Sequence, residues 1–495
     1  MRLWTAYTKM IWVGIALLAI GSAALGSPPV IDVVYPRARE TDGKIVIAAV
    51  DSNFVFGSVT PAGASLTING FPIQLHENGA FLAFLPVPKK NQTYRLRAEL
   101  NGEMSDTLVT FLLPKQLPPD TTTVPKIACP TVIRFLPGYN VTRTGIDGAY
   151  DLFPLEGTRC IALAQKKDLL KIRLTSSRAT WVEPRFVEVL PESINQNSNS
   201  IYKIECQPEQ NATKIVIPDI GRPLFRLEDF LEPLEVRLTL YGVISHIDLV
   251  QMQHDDPILD RITWEQIEDS VTTIHFHLKH QSWGYSASWN DNGLEITLKH
   301  PPDLEEGLKN LTIAIDPGHG GEQYGAISPT RQSEKDLNLT VASLLHERLI
   351  EAGANAVMIR NEDIALGLYD RIQLAREAGA DLLISIHHNA HADGINPFLE
   401  TNGIGTYYYR PQSIDFARTV HQYLVKDSKL PDDGLLYDNL ALVRPTDFPA
   451  ILIEIGYLTM PDQELILRDP SFQKHCVNAI YDGIKSFVKA RRKGM

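Results

Sequence analysis

From Leu311 to the C-terminus, short apolar runs alternate with longer stretches whose apolar residues recur every three or four positions. In order these segments are 311–315, 333–352, 355–359, 366–378, 381–387, 413–427, 440–443, 450–455 and 470–490. Apolar runs bounded by turn residues predict buried strands, and the longer periodic stretches predict amphipathic helices. Such alternation predicts an open α/β sheet, with ligands gathered at the C-terminal ends of its strands.

Upstream the period changes from helical to two. Lys44–Val50, Ser65–Ile68 and Tyr94–Leu100 read as short strands, and Asn69-Gly70 and Asn101-Gly102 are strong hairpin markers. Residues 27–114 are therefore expected to form a small β-sandwich. A Pro/Thr-rich linker spans 115–128, and further β-rich blocks cover 129–230 and 231–303. The fold class is thus multidomain: N-terminal all-β domains followed by a C-terminal α/β open-sheet domain over 308–492. At 495 residues the chain is too long for one core, which agrees with several domains.

A formal net charge of −12 argues against nucleic acid as a partner, because phosphate binding needs a basic stripe. The cationic cluster Lys489–Lys493 reads as a solvated helix terminus. Arg2 and Lys9, the uncharged stretch 10–26 and the small residues at Ala24–Gly26 read as an export signal over 1–26, cleaved before Ser27. Cys129, Cys160, Cys206 and Cys476 are too few and too scattered for a disulfide framework, although one bridge among the first three is compatible with export.

The chemistry gathers at strand ends. His319 follows an apolar strand that stops at Asp316-Pro317 and opens into glycines, which let the backbone turn sharply. Glu334 opens a helix after Ser333, where a carboxylate is also favoured simply by the helix dipole. His387 and His388 end another strand and point to opposite faces, so only one can share a site with the others. Glu454 lies inside Ile451–Gly456, where an unpaired carboxylate would be costly. Two imidazoles, a carboxylate and a spare carboxylate are the inventory of a hydrolytic zinc site that keeps a position open for water. His275, His277 and His280 also cluster, but they read as an exposed strand face.

These segments resemble the zinc-dependent N-acetylmuramoyl-L-alanine amidases of the Amidase_3 type. The matching pieces are Asp316–Gly321, Ser333–Asn338, Met358–Asp363, Ala380–Asn389, Leu442–Arg444, Pro449–Gly456 and Pro461, in the family's order. The resemblance implies one zinc ion held by His319, Glu334 and His387, with Glu454 as the catalytic glutamate. It implies cleavage of the amide between muramic acid and L-alanine in peptidoglycan, in wall remodelling or daughter-cell separation. An exported, monomeric enzyme of the periplasm or envelope is expected, with the β-domains contacting wall or envelope proteins. The stretch 157–190 resembles a bacterial SH3-like barrel, although Ala179-Thr180 stands where a glycine is usual before Trp181-Val182. Residues 234–298 look like the β-domains that precede cell-wall amidases. The rival readings are an idle wall-binding scaffold and a zinc peptidase or deacetylase acting on another amide.

Overall fold

The computed structural model describes residues 27–37, 43–113, 126–191 and 199–493. The expected export signal at 1–26 and residues 115–125 of the expected linker lie outside the described residues.

In the C-terminal region six strands form one sheet. Their spatial order is Asn355–Met358, Thr312–Pro317, Leu382–Asn389, Ala450–Tyr457, Ile404–Tyr408 and Asp432–Tyr437. The first four are parallel to one another, and the last two run the other way. Helices α1 (Glu334–Glu351), α2 (Leu368–Glu377), α3 (Ile414–Ser428), α4 (Pro461–Leu467) and α5 (Pro470–Lys493) complete this region.

The alternation of side chains along the strands divides two apolar layers. Ile313, Ile315, Leu382, Ile384, Ile386, Ile451 and Ile453 pack with α1, α3 and α5. Ala314, Leu383 and Ala450 face Ile372 and Ala375 of α2. Parallel strands covered on both faces read as continuous apolar runs, which is why they were recognisable. The apolar run at 440–443 instead contains a single turn of 3₁₀ helix at Ala441–Val443, too short to extend the sheet.

Residues 30–110 build two facing sheets of three and four strands around Val55, Leu66, Phe81, Tyr94 and Leu96. Both Asn-Gly pairs occupy hairpin turns, with φ of 49° and 86° at Asn69 and Gly70 and 51° and 86° at Asn101 and Gly102. The strand expected at Lys44–Val50 is reduced to isolated bridges. There the Ala48 amide donates to Asp393 Oδ2 (3.0 Å) in the C-terminal region rather than to a neighbouring strand. This unit docks on the C-terminal region through that contact, through the Tyr35 hydroxyl, which donates to Asp393 Oδ1, and through Arg331, bound to Asp32 at 2.5 and 2.6 Å.

A six-stranded antiparallel sheet spans 131–189 around Ile133, Leu170, Ile172 and Val182. Residues 199–299 then form a second sandwich of five and four strands. The boundary expected at 230/231 falls inside a hairpin, because Phe225–Leu231 pairs with Leu234–Tyr241 and both close over one core. This sandwich is plugged into the C-terminal region by Trp283, fully buried, whose indole donates to the Asp381 carbonyl at 2.8 Å. Arg491 lies 5.4 Å above the same ring, so the terminal basic cluster is partly interfacial rather than wholly solvated. All four cysteines are free, so the bridge considered for the first three is absent. Among the described residues no helix is long and apolar enough to cross a membrane.

Candidate active site

The site is assembled at the ends of three neighbouring parallel strands. Asp316, Ser385, His387 and Glu454 fall on the α2 side of the sheet by alternation, whereas His388 falls on the α1 side. His387 and Glu454 are register partners on adjacent strands. Glu334 enters from the first turn of α1, which follows the loop 318–333.

The nitrogens of His319 and His387 and a Glu334 oxygen lie within 4.8 Å of one another, the one group among the described residues that could hold a metal ion in this way. His319 Nε2 is 3.2 Å from Glu334 Oε2, and His387 Nδ1 is 2.9 Å from Glu334 Oε1. Burial works against the Glu334 charge, but hydrogen bonds to both imidazoles outweigh it and hold the carboxyl well below the ordinary range. The Ala326 amide also donates to Oε2 (2.8 Å), and Asn338 Nδ2 donates to Oε1 (3.2 Å).

His388 is buried, and its Nδ1 lies 2.8 Å from Asn338 Oδ1 behind Glu334. Burial draws its pKa down to about 4. A neutral imidazole enclosed in the α1 layer orients Asn338, and the site's rim is out of its reach.

Glu454 is lodged between Gly405 and His387 on adjoining strands. Its Oε2 is buried without a hydrogen-bond partner. Burial pushes its carboxyl well above the ordinary range, and the charges of Glu334 and Asp433 push the same way. A buried acid left with an open lone pair beside two imidazoles is equipped to exchange a proton with something bound there. Tyr457 donates to Asp433 Oδ2 (2.8 Å) on the adjoining rim.

Two arginines that sequence reasoning missed hold the His319 loop. Arg371, on α2, donates to Asp316 Oδ1 (2.7 Å), the Pro317 carbonyl (2.8 Å) and the His319 carbonyl (2.7 Å). Arg360 donates to the carbonyls of Pro317, Gly318 and Lys335, each at 2.9 Å. These bonds fix a turn in which His319 itself adopts φ of 62°, an unusual conformation for a residue with a side chain. The nearest sequence signal was Met358–Asp363, which contains Arg360 without revealing its target.

Close approach also demands two glycines. A Cβ at Gly318 would fall 2.1 Å from His387 Cε1, and one at Gly325 would fall 2.3 Å from Glu334 Oε2. Gly325 also has φ of 69°. We expect Gly325→Ala to displace the Glu334 carboxylate and weaken the affinity of this cluster for a divalent metal ion about 10- to 100-fold, as read by competition with a chromophoric chelator. Unchanged affinity would show that the loop yields without moving Glu334.

Of the expected exposed histidine face, His275 and His277 turn out to flank an acid, whereas His280 Nε2 lies 3.2 Å from the Pro257 carbonyl. Glu235, almost fully buried, lies 3.1 Å from His275 Nδ1, 3.5 Å from His277 Nδ1 and near Arg237, and so is already neutralised.

A cluster of donors and a spare buried acid, at the strand ends of an open α/β sheet, are the equipment of a hydrolytic enzyme. The sequence profile described as N-acetylmuramoyl-L-alanine amidase matches residues 313–486. A probable cell wall amidase LytH of Staphylococcus epidermidis is 33% identical over 212 residues, covering 42% of this chain and 68% of that protein. Its Staphylococcus aureus counterpart is 30% identical over 229 residues, covering 46% and 72%. The crystal structure of an N-acetylmuramoyl-L-alanine amidase from Clostridium difficile 630 is 35% identical, covering 37% of this chain and 98% of that one, with a TM-score of 0.35. The chain belongs to the N-acetylmuramoyl-L-alanine amidase family.

Proposed function

We propose that this chain is a zinc-dependent peptidoglycan amidase in which His319, Glu334 and His387 hold the metal and Glu454 moves the proton. The single observation that carries the reading is the convergence of those three donors beside the unpartnered Glu454 Oε2. The donor set suits zinc. Two imidazoles and one carboxylate are borderline ligands in the number a catalytic site provides, and the carboxylate is already held in its charged form. The orphaned acid beside them suits a water-activating role better than a fourth ligand.

When bound, zinc supplies Lewis acidity at the scissile carbonyl and brings the pKa of water to about 7. The chain's own residues do the rest. Glu454 accepts the proton of the attacking water and delivers it to the departing alanine nitrogen. Arg371 and Arg360 keep the His319 turn in place. Asn338, with His388 behind it, fixes the rotamer of Glu334.

The relatives bear the name of cell wall amidases, which supports action outside the cytoplasm, in the periplasm or cell envelope. There the enzyme would serve wall remodelling or daughter-cell separation as a monomer, with its β-domains contacting wall or envelope proteins.

Purified protein incubated with intact sacculi is expected to release stem peptides with a free L-alanine amino terminus. A strong chelator should abolish the release, and added zinc should restore it. Peptides cut within the stem, or acetate released in their place, would transfer the chain to the peptidases or deacetylases.

A further inference from the structure

A well-formed cleft has a lining that includes neither Glu454 nor the proposed metal ligands. It has a volume of about 630 Å³ and is walled by three parts of the chain: the 131–189 sheet, the 199–299 sandwich and the C-terminal region. Arg410 and Arg444 face it from the C-terminal region. Gly405 is the register partner of Glu454, and Arg410 lies beyond Tyr408, where that strand has run toward the opposite end of the sheet.

Two features of the lining call for a ligand. The first is a partly buried guanidinium with donors to spare, since Arg410 feels the charges of Asp229 and Glu228 but forms a hydrogen bond with neither. Among the described residues neither arginine forms an ion pair: Arg444 donates to Asn439 Oδ1 (2.7 Å), the Asn439 carbonyl (2.8 Å) and the Tyr139 hydroxyl (2.6 Å). Among the described residues Arg410 donates through Nε alone, to the Arg444 carbonyl at 3.0 Å. The acids nearby are engaged elsewhere, Glu228 with Arg226 at 3.2 Å and Asp229 with the Tyr285 hydroxyl and the Gln412 amide, each at 2.9 Å. The second feature is unused hydrogen-bonding capacity. Asp151 Oδ2 and Arg226 Nε are buried on the lining without partners. Buried polar atoms without partners are rare, and each needs an explanation.

The chemistry of the occupant follows from the lining. The guanidiniums ask for a planar anion. The open oxygen of Asp151 asks for a hydroxyl or amide donor, which an inorganic anion would not bring. Tyr139, stacked on Tyr369 at 3.5 Å, and Phe153, with the Arg444 guanidinium 4.5 Å above it, form an aromatic wall that holds Arg444 in place. We propose that this cleft binds an acidic saccharide, its carboxylate toward Arg410 and Arg444 and its hydroxyls toward Asp151.

The inference rests on the amidase reading for its source of ligand. Hydrolysis breaks the lactyl C–N bond: water oxygen joins the acyl carbon, which leaves as a carboxylate, and the alanine nitrogen leaves protonated. Each cut therefore converts a neutral muramoyl amide into an acidic sugar. This cleft, whose lining includes none of the proposed site residues, would hold glycan that the same enzyme has already stripped.

The test is calorimetric titration of the full chain with N-acetylmuramic acid, N-acetylglucosamine and inorganic phosphate. N-acetylmuramic acid is expected to bind, with the other two much weaker. Arg410→Gln should weaken that binding about tenfold or more, the loss of a charged hydrogen bond. Gln373→Trp, an exposed α2 position on the cleft wall, should obstruct it while leaving the fold intact. Glu454→Gln should leave it unchanged, which separates the cleft from the active site. Equal binding of both sugars, tighter binding of phosphate, no binding at all, or binding that depends on Glu454 but not Arg410 would each overturn the proposal. If muramic acid binds through Arg410 while sacculi remain uncut, the cleft stands and the amidase reading falls.

Discussion

Glu454→Gln is expected to retain zinc at full stoichiometry and to lose about 10²- to 10⁴-fold in the rate of muramoyl-L-alanine hydrolysis. The amide preserves the shape of the side chain and the strand pairing with His387, but it can neither accept the water proton nor deliver it to the leaving nitrogen. The three proposed ligands come from other elements, so the metal content should not change. Metal analysis together with product release from sacculi reads both halves. A variant that hydrolyses at the wild-type rate would remove Glu454 from the mechanism, and one that loses zinc would make it a ligand.

The second large effect is expected at Arg371, which meets the proposed metal ligands only through the His319 backbone carbonyl. Arg371 and Asp316 are both buried, and Ser385 Oγ completes the group by donating to Asp316 Oδ2 at 2.7 Å. Removing one partner of a buried ion pair strands the other, at a cost of about 3–5 kcal/mol. Arg371→Met should therefore destabilise the C-terminal region by about that amount and release the His319 turn. Adding Asp316→Asn removes the stranded charge and should recover part of the stability, because contacting residues are not additive. It should not recover activity, since the His319 carbonyl still lacks its donor. Denaturant unfolding and hydrolysis of the single and double variants distinguish the two effects. Restoration of both by Asp316→Asn would show that only the buried charge mattered.

Features with a local cause were legible in the sequence. The Asn69-Gly70 and Asn101-Gly102 turns announce themselves because few other pairs accept two successive positive φ values. The parallel strands are readable because burial on both faces leaves continuous apolar runs. The strand-end histidines and carboxylates followed, although strand alternation alone left His387 and His388 open.

What escaped depends on partners distant in sequence. Arg371 is a polar residue on an amphipathic helix, and nothing local reveals that its guanidinium is buried against carbonyls of residues 317 and 319. The strands at Ile404–Tyr408 and Asp432–Tyr437 run opposite to the other four, which simple strand–helix alternation does not suggest. The hairpin joining Phe225–Leu231 to Leu234–Tyr241 crosses the boundary expected between the two β-rich blocks. The docking of Lys44–Val50 on Asp393 replaced an apparent strand by a contact 345 residues away.

That contact also bears on how the proposed metal site is held. Asp393 lies a few residues beyond His387, and Arg331, bound to Asp32, lies just ahead of Glu334. Both flanks of the proposed metal site are thus fastened to one β-rich unit, the two-sheet body at 30–110. A shift of that body would pull on His387 and Glu334 from two sides at once, so the β-rich unit is a brace for the site as well as its neighbour.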